Sequence, residues 1–505
     1  PLPGSFAVTP PKGTMLQTVF SFVAEDWEDI DLPLSYAFGL LQSEESFAVL
    51  RAKEELSHFK TLNIPAGDDI DDYRVMTHVE VYDTMNAKAV ASVPLTVFLG
   101  GGMSSGELDN YFSGLVTNSN GFSADLKVAV VMTNVVVNGV NCSNMKSTCA
   151  SLNRFNCSGT VNTCGLCLTG FFGEDGDANT MCLPESIISR RKLLGSTMST
   201  LGELCATDAD CDENSWEVCD ERAQKCVVRS KDCPGDCGSN GTCVFTSTLN
   251  VSVTYERCNV FQYNCIGRCI CESNFMGRGC ELDANELKAK QVVRHKIVEA
   301  IRTISLTEDV SEEALISWLQ SLSSVSKDAD GLMDETKMLM VSLASEFVEI
   351  AGKYELPFED IGSMTRTLEL LLSSLSFSSN SSLNSNITTA VAASSMKLLQ
   401  DYSDFITGDM MEGQNEVAIS MQSFRVGAYA LSGSSSTTVQ PPQSKLQAYT
   451  FAPVQSATLP TMASDAVVKV SVTEVSSPMF NNTEVGPILS APLGLRFNQF
   501  SCLAT

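Results

Sequence analysis

Residues 269–280 read CICESNFMGRGC, and just upstream stands the spacing Cys233-x3-Cys237-x5-Cys243. Six cysteines within about 50 residues leave too little chain to bury a self-sufficient apolar core, so covalent or metal cross-links have to hold the segment. The density continues towards the N-terminus. Of 19 cysteines in the chain, all but Cys502 fall between Cys142 and Cys280. At that density a disulfide scaffold formed in an oxidising compartment is expected, each bridge stabilising its loop by roughly 2–4 kcal/mol. Zinc is the competing reading for Cys164-x-x-Cys167, but that C-x-x-C has no second pair to complete a site.

Working outward, the cysteines fall into three groups. Cys142, Cys149, Cys157, Cys164, Cys167 and Cys182 make a module over 142–184. After a linker at 185–204, Cys205, Cys211, Cys219 and Cys226 make a four-cysteine unit over 205–228. The third group occupies 229–282, where Cys258 and Cys265 sit on a polar insertion between the two halves of the spacing above. Seven Asn-x-Ser/Thr sequons, at Asn141, Asn156, Asn240, Asn250, Asn380, Asn386 and Asn481, point to N-glycosylation and the same compartment. The basic run RRK at 190–192 reads as a solvated tether in that linker.

At 505 residues the chain is expected to hold several domains. A net charge of -27 repels phosphate backbones and anionic headgroups, which excludes nucleic acid as a partner. No window approaches the roughly 18 uninterrupted apolar residues of a membrane span. The opening PLPGSFAVTPPKG lacks the basic and apolar regions of a secretion signal, so either a signal has been removed or the N-terminus belongs to something longer.

Residues 1–100 alternate like strands. Runs at 14–23, 34–40, 73–82 and 90–99 are rich in β-branched and aromatic residues, and in the third Val75, Thr77, Val79 and Val81 alternate with Met76, His78 and Glu80. A β-sandwich is expected there, then a helical or mixed connector over 101–141. Helical stripes return over 283–408: Val293, Ile297, Ile301 and Ile304, then Leu315, Trp318, Leu319 and Leu322 behind a Ser311 cap. A bundle is expected, interrupted at Pro357 and at the tract SFSSNSSLNSN. Over 409–505 the pattern is again β, with Val417 and Ile419, a run at 446–451, and Val468, Val470 and Val472. The fold class is thus multidomain α+β: a β-sandwich, disulfide-rich small modules, a helical bundle and a C-terminal β-sandwich.

Four stretches resemble known families. GTMLQTVFSFVAEDWEDIDLPLSYAFG, with Trp27, Pro33, Leu34 and Tyr36, followed by LNIPAG and VEVYD, resembles the receptor-for-egg-jelly (REJ) module, an immunoglobulin-like sandwich of the larger polycystin. TCGLCLTGFFGEDG is similar to small laminin-type modules, and the third cysteine group resembles an epidermal-growth-factor-like (EGF-like) domain. That resemblance implies pairing of Cys233 with Cys243, Cys237 with Cys269 and Cys271 with Cys280, leaving Cys258 for Cys265. A bundle followed by a sandwich ending in APLGLRFNQFSC resembles the self-cleaving GAIN domain of adhesion receptors and the larger polycystin. On that reading 283–408 and 409–505 are its two subdomains, and Cys502 is the first cysteine of a terminal motif. No histidine follows His295, so no cleavage tripeptide is found. Intermolecular pairing of Cys502 is the other reading.

Little suggests catalysis. GMSSG at 102–106 matches a nucleophile elbow at Ser104, but it follows a run of strands without the parallel βαβ sheet that such an elbow needs, and His295 lies on a helical stripe. KDADGLMDE fails as a calcium loop, because an EF-hand frame puts Ser326 first and Lys337 last. Candidate structural calcium sites are GDDIDD at 67–72 and the acids Asp208, Asp210, Asp212 and Glu213, each also readable as a solvated loop. The expectation is a non-enzymatic extracellular glycoprotein of modules in series, binding protein partners or itself at a cell or ciliary surface. A receptor ectodomain is the first reading. A structural subunit of an extracellular filament such as a flagellar hair is the second.

Overall fold

Eight strands occur in the first hundred residues: β1 (Ser5–Thr9), β2 (Lys12–Thr14), β3 (Phe20–Glu25), β4 (Ser35–Leu41), β5 (Phe47–Glu54), β6 (His58–Thr61), β7 (Arg74–Tyr82) and β8 (Lys88–Phe98). In the computed structural model they form two sheets, β1-β3-β6 and β2-β8-β7-β4-β5, antiparallel except where β2 runs parallel to β8. The structure describes the chain except residues 16, 42–46, 62–63, 68–71, 99–104, 119–122, 146, 158, 188–199, 213–215, 221, 248–252, 263–264, 327–330, 360, 375–384, 412, 422, 433–436, 451–455, 460–465, 476–492 and 503–505. It divides into two units, Pro1–Gly139 with Lys288–Ser326 and Val140–Leu287 with Lys327–Thr505.

In the first unit the buried faces of both sheets share one core. Phe20 and Phe22 from one sheet meet Phe38, Val79, Val81 and Val97 from the other, all fully buried. Phe6, Phe22, Phe38 and Phe59 form an aromatic cluster with ring centroids 5.8–6.3 Å apart. The alternation in β7 is expected to leave His78 and Glu80 in water, yet both are buried. Their polar atoms are satisfied across the sheet, His78 Nδ1 by Ser92 Oγ at 2.7 Å and Glu80 by Lys88 Nζ at 2.7 Å.

Two helices follow, α1 (Ser105–Asn118) and α2 (Ser123–Val137). VAVVMTNVVV is helical despite its β-branched side chains, because burial outweighs a propensity cost of a few tenths of a kcal/mol per residue. Ala129, Val130 and Met132 of α2 are fully buried, and Met132 belongs to the core between the sheets. Residues 101–141 are therefore not a separate connector where they are described.

The stretch 283–408 also departs from expectation, since it is not one bundle. Most of α3 (Ala284–Thr307), and all of α4 (Glu312–Ser323), cluster with the N-terminal sheets. The cause is a polar seam on α2: Asn138 donates to Ser324 O at 2.8 Å, and buried Arg294 donates to Val137 O and Asn138 Oδ1. Arg294 thereby places a cation at the C-terminus of α2, where the helix dipole favours one. Ser311 caps α4 by accepting from Ala314 N at 3.1 Å.

The second unit holds the cysteines, further helices and the C-terminal strands. Short ribbons join β9 (Phe171–Phe172) to β10 (Leu183–Pro184), β11 (Glu217–Asp220) to β12 (Lys225–Val228), and later β16 (Phe275–Met276) to β17 (Leu282–Asp283). Between them β13 (Gly241–Ser247) pairs with β14 (Thr254–Tyr255) and β15 (Cys265–Cys271). Helices α5 (Asp334–Lys353), α6 (Met364–Ser374) and α7 (Ser385–Asp409) pack through Phe347, Leu368, Leu371, Leu399 and Tyr402.

Strands β18 (Val417–Ser420), β19 (Phe424–Ser432), β22 (Ala466–Val475) and β23 (Leu493–Cys502) form an antiparallel sheet against which α7 lies. A ribbon of β20 (Thr437–Val439) and β21 (Ala457–Leu459) packs by Val439 on Val470 and Val472. The run at 446–451, expected as a strand, is instead helix α8 (Lys445–Thr450), with Phe451 outside the described residues. Leu446 there is drawn into a core of Phe172, Leu183, Trp216 and Val260, so one apolar side chain and not an alternating face is what burial requires.

Truncating Phe38→Ala, in the middle of the aromatic cluster, is expected to destabilise the first unit by about 3–5 kcal/mol, read as an earlier denaturant transition of the full chain with its disulfides intact.

Candidate functional site

The eighteen cysteines between Cys142 and Cys280 form nine disulfides. The first group pairs Cys142 with Cys157, Cys149 with Cys164 and Cys167 with Cys182. The second pairs Cys205 with Cys219 and Cys211 with Cys226. The third pairs Cys233 with Cys243, Cys237 with Cys269, Cys258 with Cys265 and Cys271 with Cys280. Cα separations of 5.3–6.0 Å are those of ordinary bridges. Cys164 and Cys167 therefore belong to different disulfides, and neither offers the thiolate that zinc requires. Cys502 ends β23 opposite Ala466, and its side chain lies outside the described residues.

The three groups are not independent beads. Trp216 of the second donates its indole N–H to Met181 O in the first at 2.7 Å. Its ring sits edge-on to Phe172 of the first and Phe261 of the third, with centroids 5.6 Å away in both cases. Thr163 Oγ1 accepts from Gly235 N at 3.1 Å. Val161 presses so closely on Gly279 that a Cβ there would lie 2.5 Å from its Cγ1, which is why glycine stands at that contact.

At the heart of the first group is Arg154, 1 % exposed. Its guanidinium donates to four carbonyls, Thr180 at 2.5 Å, Gly165 and Glu174 at 3.0 Å and Gly176 at 3.1 Å, and to Thr180 Oγ1 at 3.3 Å. Five donors in a fixed planar fork suit a ring of carbonyls that no two-stranded ladder satisfies. Buried Lys231 of the third group donates to Cys265 O at 2.9 Å and stands 4.0 Å from Glu174 Oε1. Burial raises the Glu174 carboxyl above its usual range, against the lowering pull of Lys231, Arg154 and Thr180, with Asp232 adding to the rise.

A second such carboxyl lies on α6. Glu369 accepts from Ser423 N at 3.0 Å and Ser423 Oγ at 2.9 Å, tying the helix to the start of β19. Burial raises it too, opposed by Ser423 and Arg278, with Asp175 reinforcing the rise. Both values lie above those of the unfolded chain, so the folded unit holds more protons. Their stabilisation is complete below the unfolded carboxylate range, near pH 4, and is lost as pH climbs through the raised folded values.

Of the remaining candidates, Ser104, Asn250, Asn380 and Asn481 lie outside the described residues, as do 68–71 of GDDIDD and Glu213; Asn386 falls in α7 with its side chain undescribed. Asn141 is exposed, whereas Asn156 and Asn240 are half-buried. Asp208 accepts from Cys219 N of β11, and Asp210 accepts from Ala206 N and Thr207 N as a turn cap, so both serve the local backbone. Acids that do converge among the described residues are Asp29, Asp31 and Asp83, their carboxylate oxygens within 4.8 Å of one another. His295 Nε2 faces Glu299 Oε1 at 3.7 Å on α3. Reading the sequence missed Arg154, Lys231 and Glu369. A lone arginine in SLNRFNC carries no periodic signal, since its role depends on where distant loops turn.

Nine disulfides mark a disulfide-bonded protein of the kind that persists in oxidising, extracellular compartments. The family model of the REJ domain matches residues 1–135. The match runs through α1 and α2, beyond the residue 100 at which the sequence pattern changes, in keeping with their shared core. No curated protein matches the chain. Among the described residues no helix is long and apolar enough to cross a membrane.

Replacing Arg154→Met strands the carbonyls it serves. Amide exchange across 164–182 is expected to quicken by an amount equivalent to about 3–5 kcal/mol of lost protection, measured by hydrogen exchange and mass spectrometry with the disulfides intact. For Glu369→Gln, the loss of second-unit stability between about pH 5 and about pH 7.5 should be smaller than in the wild type, compared by denaturant midpoints at both pH values.

Proposed function

We propose that this chain is a non-enzymatic extracellular module array acting in cell-surface adhesion or sensing within a polycystin-like ectodomain. The observation that carries this reading is a REJ domain at residues 1–135 in one chain with nine disulfides packed over residues 142–280. Disulfides persist outside the cytosol, and the cross-linked groups present fixed surfaces without consuming any residue in chemistry. Partners are then proteins, met through those surfaces.

Finer assignments belong to the same proposal. The β-sandwich reading of 1–100 draws support from the core that its two sheets share. The bridges Cys233–Cys243, Cys237–Cys269 and Cys271–Cys280 support an EGF-like reading of 229–282. Helices packed on a β-sheet support a GAIN-like reading of the C-terminal part, to which α3 and α4 fit less well because they pack on the REJ domain's helix α2. The exposed sequon at Asn141 is the best placed of the described acceptors for an N-glycan.

Expression of the chain behind a secretion signal in animal cells is the test. Secreted, glycosidase-sensitive protein whose non-reducing peptide map returns the nine bridges, and which binds cells through the REJ domain, is the expected result. Free thiols in native material would overturn the extracellular reading, and assembly into fibres without cell binding would favour a filament subunit.

A further inference from the structure

Three neighbouring loops at one end of the N-terminal sheets expose large apolar side chains. Ile30 is 95 % exposed and Leu32 65 % in the loop after β3, Leu56 is 51 % exposed between β5 and β6, and Met85 is 76 % exposed between β7 and β8. Single exposed apolar residues are ordinary on a protein surface, but a run of them around a depression is not. The depression is an open groove of about 620 Å³ whose walls include Trp27, Leu32, Pro33, Leu34 and Tyr36, with Glu55 at its side. It is preformed: the Trp27 indole is anchored on Ser5 O at 3.1 Å, and Thr84 N donates to Asp31 O, holding the β7–β8 loop against the first.

Acidic side chains stand around this groove. Glu28 and Asp31 are exposed on the first loop, Glu55 lines the groove, and Asp29, Asp31 and Asp83 crowd together. The nearby cation Lys53 is turned onto the Tyr82 ring, 4.3 Å from its centroid, and onto Asn86. A second copy of a chain carrying a net charge of -27 would bring acids against acids, and an anionic membrane would be repelled in the same way.

We propose that this groove is a docking site for a cationic peptide segment of a partner protein, one that alternates basic and apolar side chains. The apolar side chains enter between Trp27 and Leu32 while the basic ones meet Glu28, Asp31 and Glu55. The inference deepens the binding reading above by naming the chemistry of a partner. Its test is a direct binding measurement that succeeds or fails separately from secretion and disulfide mapping.

The probe is a short fluorescein-labelled peptide of alternating arginine and leucine, titrated with the full chain and followed by anisotropy. Saturable binding is expected that weakens as sodium chloride rises, and a peptide of alternating arginine and serine should bind roughly tenfold more weakly. Ile30→Ser with Leu32→Ser should cost about tenfold or more, and Glu28→Gln with Glu55→Gln several-fold. The charge-matched pair Glu335→Gln with Glu349→Gln, on α5, should leave affinity unchanged. No saturable binding by the wild-type chain would overturn the proposal, as would equal losses in the groove and control pairs, which would mark bulk charge as the cause. Sedimentation of the chain with phosphatidylcholine vesicles in the absence of peptide binding would overturn it in favour of a lipid surface.

Discussion

Short-range covalent closure organises the cysteine-bearing half of this protein. Eight of its nine disulfides close loops of 15 residues or fewer, and the ninth joins Cys237 to Cys269 across 32. Such bridges restrict the unfolded chain and fix each loop on itself, but they do not orient one group against the next. That task falls to non-covalent contacts: Trp216 wedged between Phe172 and Phe261, Val161 against Gly279, and Lys231 beside Glu174. Where staples replace an apolar core, a single aromatic residue carries orientation that a larger domain spreads over many.

The same scarcity of apolar core explains the buried charges. Loops of this length turn too often for their carbonyls to pair along strands, and a buried carbonyl without a donor costs about 1–3 kcal/mol. Arg154 answers four of them at once. Burying a cation is tolerable only with acceptors and a counter-charge nearby, and Glu174, itself raised by burial, supplies one. Arg154 thus faces backbone carbonyls and Glu174 stands beside Lys231, so both hold loops in place.

How much of this was legible in the sequence follows from the range of the forces involved. Cysteine density announced the staples, and the alternation from Val75 to Val81 announced β7, because both signals are local. The stripe Val293–Ile304 announced a helix equally well, but not its partner: Arg294 and Asn138 lie 156 residues apart in sequence, and contacts such as their hydrogen bond place α3 with the N-terminal sheets. At 446–451 propensity pointed to a strand while one buried leucine decided for a helix. Of the candidate site, the bridges were foreseeable in kind, whereas Arg154 and Glu369 act through loops and strand ends that no periodicity reveals.

The two units also differ in what they depend on. The unit of residues 1–139 and 288–326 contains no cysteine, so its folding rests on the aromatic core and on hydrogen-bonded seams such as Asn138 to Ser324. Its folding needs no oxidation, whereas residues 142–280 fold with nine bridges in place. A surface that must stay constant while the redox state of its surroundings varies is better placed on the unit that owes nothing to sulfur. The acid-rimmed groove beside Trp27 stands on that unit.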